Sequence, residues 1–215
     1  MLRLITPAPA DAWGPLPPHS GDRHRPRRTL QWLERLLFAI AVITLGYVGY
    51  VSAESYLYQR IEERELSAVL NSRPATDVVH RPPPAPGSTM GRISIERLGV
   101  SAIVRAGSDA RTLSLAVGHV PGTALPGESG NVGLAGHRDT FFRRLQDIAP
   151  GDSIVVVTPG GTFHYSVERT MVVEPEDVWV LDPTQEPALT LITCYPFSYL
   201  GSAPHRFIVR AILNR

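Results

Sequence analysis

A single cysteine stands among the 215 residues of the chain, and it is the side chain best suited to covalent chemistry. Cys194 ends the run TLITC at 190–194, whose apolar and β-branched composition is typical of a buried strand. A lone cysteine forms no intramolecular disulfide. This thiol is therefore either an inert buried side chain or a nucleophile presented at the end of a strand.

The other reactive side chains help to distinguish these two interpretations. A thiol catalyses acyl transfer when a histidine exchanges its proton and a donor stabilises the oxyanion. His137 lies in the segment GLAGHR at 133–138, where small neighbours leave room for a substrate, and Arg206 begins the apolar run 206–210. That run could pair antiparallel with the strand that ends at Cys194. Cys194, His137 and Arg206 are the candidate nucleophile, base and oxyanion donor.

Three further residues resemble these candidates. His119 lies in a Gly- and Pro-rich segment of the kind that borders active sites, and we interpret it as accessory or structural. Arg210 falls on the same strand face as Arg206 and is assigned a structural or surface role, while Arg138 flanks the candidate base. The histidines lack the spacing of a zinc site, and the acidic residues are scattered, so no metal and no cofactor is expected, with calcium dependence left as a weak alternative.

Composition excludes some function classes. Twenty-one basic residues face 20 acidic ones, giving a net charge of +1, which provides no basic surface for nucleic acid. Every basic residue is arginine. Catalysis through a lysine Schiff base or a serine–lysine pair by this chain's own residues is therefore excluded.

The C-terminal part of the chain, from about Met90, has the length of one domain with one core. Short helices are predicted around 109–116 and 141–145, and Pro-Gly turn signals separate short apolar runs. Many short strands favour a closed barrel or a sandwich. The predicted strands are 91–95, 102–104, 131–135, 153–158, 162–173, 189–194 and 205–212.

An uncharged segment near the N-terminus indicates attachment to a membrane. Residues 36–53 carry no charge and are long enough for a slightly short bilayer span. Arginines cluster before this segment, so the positive-inside rule predicts a cytoplasmic N-terminus and an extracytoplasmic remainder. A cleaved signal peptide is the competing interpretation because residues 51–53 resemble a cleavage site, but the long charged leader favours an uncleaved anchor.

These patterns predict four regions along the chain. The proline- and arginine-rich start predicts disorder, and the proline-rich stretch before the C-terminal domain predicts an extended spacer. The predicted regions are a disordered cytoplasmic tail at 1–30, a transmembrane signal-anchor at 33–53, a juxtamembrane helix with a Pro-rich spacer at 54–88, and a catalytic domain at 89–215.

Taken together, the motifs resemble those of one known family. The run TLITC matches the TLxTC signature of sortases, the membrane-anchored cysteine transpeptidases of bacterial surfaces. The segment 133–138 resembles the one that holds the sortase histidine, and Arg206 matches the family's arginine in order and spacing. The resemblance covers about residues 88 to 215, and the sequence around 195–197 and 201–204 looks most like class D/E.

The resemblance implies a mainly β fold, a closed eight-stranded sortase-type barrel with short helices, preceded by a single transmembrane helix. It also implies that Cys194 cleaves a Leu-Pro-x-Thr-like sorting signal at the C-terminus of secreted proteins, giving a thioester. An amine of a cell-wall precursor or a pilin would then resolve this thioester. His137 would move the protons and Arg206 would hold the oxyanion.

Two other functions remain open from the sequence. A thiol hydrolase on the same scaffold would use Cys194 and His137 but would release an acid. A non-catalytic, membrane-anchored β module would bind peptides at a surface groove. The presence of all three reactive groups argues against the second alternative.

Overall fold

The computed structural model describes residues 26–72, 84–199 and 201–214. The chain divides into two compact units, 1–48 and 49–215, and the boundary falls within helix α1, Pro26–Ser72. Residues 1–25 of the predicted tail, 1–30, and residues 73–83 of the predicted Pro-rich spacer lie outside the described residues.

The first unit contains most of the uncharged apolar segment of α1. Its side chains, among them Phe38, Ile43 and Leu45, are exposed along the helix. The stretch Leu30–Ala68 is long and apolar enough to cross a membrane by length and composition. An N-terminal helix of this kind agrees with the transmembrane segment in the predicted fold class.

The second unit is built from eight described strands. The strands are β1 Thr89–Ile95, β2 Val100–Ala106, β3 Val117–His119, β4 Asn131–Ala135, β5 Ser153–Thr158, β6 Gly161–Val173, β7 Ala188–Tyr195 and β8 His205–Leu213. They close into a barrel with the spatial order β1-β2-β3-β4-β7-β8-β6-β5. Strands β2 and β3 are parallel, as are β4 and β7, and the other neighbours are antiparallel. The predicted fold class is confirmed.

Period-two alternation builds the core of the barrel. In β5, Ile154 and Val156 are fully buried while Val155 and Val157 are half-buried, because successive residues of a strand point to opposite faces. Tyr165 of β6 and Phe142 from the β4–β5 connection complete the packing. Burying side chains of this size provides the main stabilising free energy, about 1.5–3 kcal/mol each.

Short helices connect the strands. Helix α2, Ala110–Leu115, begins after Asp109, whose carboxylate accepts the backbone N–H groups of Arg111 and Thr112 and thereby caps the helix. The helical turns Glu96–Leu98, Arg143–Asp147 and Val178–Leu181 are of the 3-10 type.

Strand β3 is the one strand of the described barrel that the sequence patterns did not predict. A strand of three residues is too short for a periodic pattern to appear, and the pairing partners β2 and β4 hold it in place. A Cβ atom at Gly118 would lie 2.3 Å from the carbonyl oxygen of Gly107. The close approach of these two backbones therefore requires glycine at this position.

The C-terminal part of α1 belongs to the barrel unit. The Gln59 side chain accepts the N–H of Ile103 at 2.7 Å and donates to the carbonyl of Leu115 at 2.7 Å. Glu63 forms an ion pair with Arg92, and Leu66 is buried against Ile103. This part of the helix covers β1, β2 and the end of α2.

Candidate active site

The strand pair β7–β8 brings two of the predicted residues together. Cys194 and Arg206 are directly opposite each other in the antiparallel register. Side chains opposite each other in such a pair lie on one face, with their Cβ atoms about 4.5–5.5 Å apart. Both residues are partly buried, and the guanidinium of Arg206 donates to the carbonyl oxygens of Ala203 at 3.3 Å and His205 at 3.0 Å.

His137 approaches Cys194 from the other side of β7. Strand β4 runs parallel to β7, with Ala135 opposite Ile192. The backbone N–H of Gly136 extends this pairing by donating to the carbonyl of Ile192 at 3.0 Å. His137 follows Gly136 directly, so it lies just beyond this pairing, near the end of β7 that carries Cys194. His137 itself is exposed to solvent.

These residues lie on the outer face of the barrel. The core contains Leu134 of β4, Leu191 of β7 and Val209 of β8, so the alternate residues of these strands point outward. The outward residues define a surface that we call the outer groove, with Ala135 and Ile192 on its floor. The full outward set is Asn131, Gly133 and Ala135 from β4, Ala188, Thr190, Ile192 and Cys194 from β7, and Arg206, Ile208, Arg210 and Ile212 from β8.

Comparisons with known proteins agree with this geometry. The sortase domain family model matches residues 93–214, more than half of the chain. The chain belongs to the sortase family. It is 30% identical to Sortase D of Bacillus subtilis (strain 168) over 184 residues, which are 80% of this chain and 93% of that protein.

Solved sortase structures share the fold. A Clostridium perfringens Sortase D5 transpeptidase matches with a TM-score of 0.57 and 30% identity, covering 71% of this chain and 89% of that one. Sortase A from Corynebacterium diphtheriae matches with a TM-score of 0.57 and 26% identity, over 77% and 93% of the respective chains. The predicted family is confirmed, and class D fits. Sortases are membrane-anchored cysteine transpeptidases, and the apolar part of α1 is consistent with such an anchor.

One end of the outer groove in this sortase is closed by a buried polar network. The Asn131 side chain donates to the carbonyl of Val180 at 3.0 Å and accepts the Thr190 hydroxyl at 2.7 Å. The guanidinium of Arg210 donates to the same Val180 carbonyl at 3.1 Å. These bonds hold the turn Val178–Leu181 over the groove, and burial lowers the pKa of Arg210 from its ordinary value.

Glycine in β4 allows the β3–β4 and β6–β7 connections to pack closely over the groove. A Cβ atom at Gly133 would lie 2.6 Å from the side chain of Leu181 and 3.1 Å from that of Thr123. Any larger residue would push these two connections away from the strand. Glycine at position 133 thus lets the β3–β4 and β6–β7 connections meet at the closed end.

His119 occupies a different environment from His137. Its side chain is buried, with Nε2 at 2.9 Å from the carbonyl oxygen of Ala124 and 3.2 Å from the hydroxyl of Thr123. Burial lowers the pKa of His119, because the charged imidazolium is poorly solvated there. A neutral, hydrogen-bonded histidine at this site ties β3 to the β3–β4 connection.

Sequence reasoning overlooked the contacts of Arg138. The sequence shows this residue only as a neighbour of the candidate base, yet its guanidinium is buried against the connection between β7 and β8. The signal available in the sequence was a charged residue next to a reactive one, which does not distinguish a solvated arginine from a buried one.

The residues described by the structure contain no cluster of three or more His, Cys, Asp or Glu side chains that could hold a metal ion.

Proposed function

We propose that this sortase cleaves a Leu-Pro-x-Thr-like signal at the C-terminus of secreted proteins and transfers the acyl group to an amine. The observation that supports the proposal is the register that sets Cys194 opposite Arg206 on β7 and β8, while His137 follows β4, the other neighbour of β7. Acyl transfer requires a nucleophile, a proton carrier and a cation, and these three residues would supply them.

In the first half-reaction, the Sγ thiolate of Cys194 attacks the carbonyl carbon of the Thr–Gly or Thr–Ala bond. The carbonyl oxygen becomes an oxyanion, which accepts hydrogen bonds from the Arg206 guanidinium. His137, as the imidazolium, donates its proton to the leaving amine nitrogen. The C–N bond then breaks, and the acyl group remains on Cys194 as a thioester.

In the second half-reaction, the neutral imidazole of His137 accepts a proton from the incoming amine. The amine nitrogen attacks the thioester carbonyl, and Arg206 again stabilises the oxyanion. The C–S bond breaks, which regenerates the Cys194 thiolate beside the His137 imidazolium. The acceptor amine belongs to a cell-wall precursor or a pilin.

The shape of the outer groove supports an extended peptide as the substrate. Its floor is made of Ala135 and Ile192, which are small or apolar, and its far end is blocked by Val180. An extended chain that lies along this floor, with its last residues toward the open end, would present those residues to Cys194. The β6–β7 and β7–β8 connections border this path and carry exposed aromatic side chains, Trp179 and Tyr199.

We further propose that α1 is an uncleaved signal-anchor with its N-terminus in the cytoplasm. Arginines precede the apolar segment, and acidic residues such as Glu54 and Glu62 follow it. The barrel would then act outside the cytoplasm, where secreted substrates and envelope amines are found.

The proposal is tested with the full-length chain in detergent micelles, because part of α1 packs on the barrel. Wild type and Cys194→Ala are incubated with a Leu-Pro-x-Thr-Gly/Ala peptide library and hydroxylamine, and the products are identified by mass spectrometry. Hydroxamates formed by wild type alone are the expected result. Acid products alone would indicate a thiol hydrolase, and the absence of cleavage by folded protein would contradict the proposal.

A further inference from the structure

Arg138, the residue after His137, is buried although it is charged, with 6% of its surface exposed. Nη1 donates to the carbonyl oxygen of Pro196 at 2.8 Å, and Nη2 donates to those of Tyr199 at 2.5 Å and Gly201 at 3.1 Å. These carbonyls belong to the β7–β8 connection, which joins Cys194 to Arg206. One guanidinium thus ties the segment of the base to the segment between the other two reactive residues.

The residue before His137 is tied to the same strand. The carbonyl oxygen of Gly136 accepts a hydrogen bond from the hydroxyl of Thr193 at 2.7 Å. The N–H of Gly136 donates to the carbonyl oxygen of Ile192, as described above. Gly136 therefore binds the residues before Cys194, and Arg138 binds residues after it. The backbone of His137 is held on both sides against the chain that carries the nucleophile.

Arginine is suited to this position for a geometric reason. Its planar fork carries five N–H donors in fixed directions, so it can bond several carbonyl oxygens at once, whereas a lysine ammonium is a compact point charge. The nearest acidic group is the exposed Asp139, with Oδ1 at 3.4 Å from Nε. The contacts of Arg138 are thus mainly with backbone carbonyls, and their role is to hold a loop in place.

The geometry points to Arg138 as a positioning residue, which holds His137 at the correct spacing from Cys194 and Arg206 by binding the β7–β8 connection. This inference rests on the proposed function, because it concerns the base and nucleophile of that reaction. Arg138 does not touch the reacting atoms. Its loss should lower the fraction of molecules in which proton transfer is possible, with a smaller effect on peptide binding.

The kinetic test uses the full-length chain in micelles and the best peptide from the library. Arg138→Ala is expected to lower kcat about 100-fold, the cost of a displacement of about 1 Å at a catalytic group, with KM changed less than about threefold. Arg138→Lys should recover only part of this loss. The matched control is Arg143→Ala, which removes an exposed arginine from the β4–β5 connection, where Arg138 also lies, and should behave as wild type.

A second test measures the spacing without any turnover. In a His137→Cys background, the new thiol and Cys194 are equilibrated in a glutathione redox buffer, and the extent of cross-linking gives their effective concentration. Adding Arg138→Ala is expected to lower this effective concentration about tenfold. Adding Arg143→Ala should leave it unchanged.

The two tests separate the failure of this inference from the failure of the proposed function. Unchanged kcat and unchanged cross-linking in folded Arg138→Ala would overturn the positioning role, as would a rise in KM with kcat unchanged. If wild type shows no turnover that depends on Cys194, the proposed function fails, but cross-linking still decides the role of Arg138. If Arg138→Ala does not fold, Arg138→Lys is used in both tests with the same criteria.

Discussion

The two ends of the outer groove contain similar residue types in opposite environments. At the closed end, Asn131, Thr190 and Arg210 are buried and bonded to one another or to the carbonyl of Val180. At the open end, His137 is exposed and Cys194 is partly buried. The closed end fixes the position of a loop, and the open end leaves its polar groups accessible to a substrate.

The two arginines of β8 make this difference most clear. Arg206 and Arg210 lie four residues apart on the same face of the strand. Arg210 is 7% exposed beneath the turn Val178–Leu181, whereas Arg206 is only partly buried and bonds carbonyls of its own loop and strand. The loop that covers one of the two arginines, and not the residue type, determines which of them is buried and which stays partly accessible.

The largest expected effect is the loss of activity on removing His137, compared with removing His164. His137→Ala is expected to lower kcat/KM about 10²–10⁴-fold, because a positioned acid–base group contributes that much to proton transfer. Tm should change little, since the side chain is exposed. His164→Ala, which removes another exposed histidine, is the control in peptide-cleavage and thermal-unfolding assays. Activity of His137→Ala within a few fold of wild type would disprove the role of base.

The next prediction concerns the oxyanion. Arg206→Ala is expected to lower kcat about 10²–10³-fold, the usual cost of removing one oxyanion donor. Steady-state kinetics with the library peptide measures this change, and Arg169→Ala, an exposed arginine of β6, is the control. A rise in KM at constant kcat would instead assign Arg206 to substrate binding, which would weaken the contrast with Arg210.

A smaller effect is expected at the closed end, on stability. Thr190→Val removes the hydroxyl that donates to Asn131, leaving a buried acceptor with one partner fewer. The free energy of unfolding should fall by about 1–3 kcal/mol, and Tm by about 2–4 °C for each kcal/mol. Thermal unfolding in micelles measures the change, with Thr162→Val at an exposed site as the control. An unchanged Tm would show that the network does not stabilise the closed end.

The smallest effect is a pH dependence from His119. Burial lowers its pKa in the folded state, so the unfolded chain binds this proton more readily. The stability contributed by neutral His119 is therefore fully present above the unfolded pKa of about 6.5 and is lost as pH falls toward the lower, folded pKa.

The check on this effect is to compare Tm between pH 7.5 and 5 for wild type and His119→Gln. We expect the variant to lose less stability on acidification, because its amide does not titrate and can still donate to Ala124. His164→Gln is the control for an exposed histidine. An identical pH dependence in wild type and His119→Gln would mean that His119 does not contribute.

Most of the barrel could be predicted from local patterns. The runs that became β1, β4, β5 and β8 are bounded by turn residues, and their alternation decides which side chains enter the core. Strand β3 was missed because three residues carry too little pattern. The choice between a barrel and a sandwich came from the resemblance to sortases, since strand count alone does not show whether a sheet closes.

Contacts between distant residues could not be predicted in the same way. Asn131 and Thr190 are 59 residues apart in the chain, and Arg138 meets Gly201 across 63. Both pairs depend on the parallel register of β4 and β7 and on the path of the loops beyond these strands. The roles of His137, Cys194 and Arg206 stay predictions, which the variants above test.

By itself the sequence determined which residues can do chemistry, because one thiol, its motif and the absence of lysine depend on composition and local order alone. It also determined the apolar N-terminal segment and most of the strands, since local periodicity carries that information. Only the tertiary structure decided which arginine is covered, which histidine is buried and what Arg138 holds. Burial and hydrogen bonding depend on which loops pack over a strand, and this packing involves residues far apart in the chain.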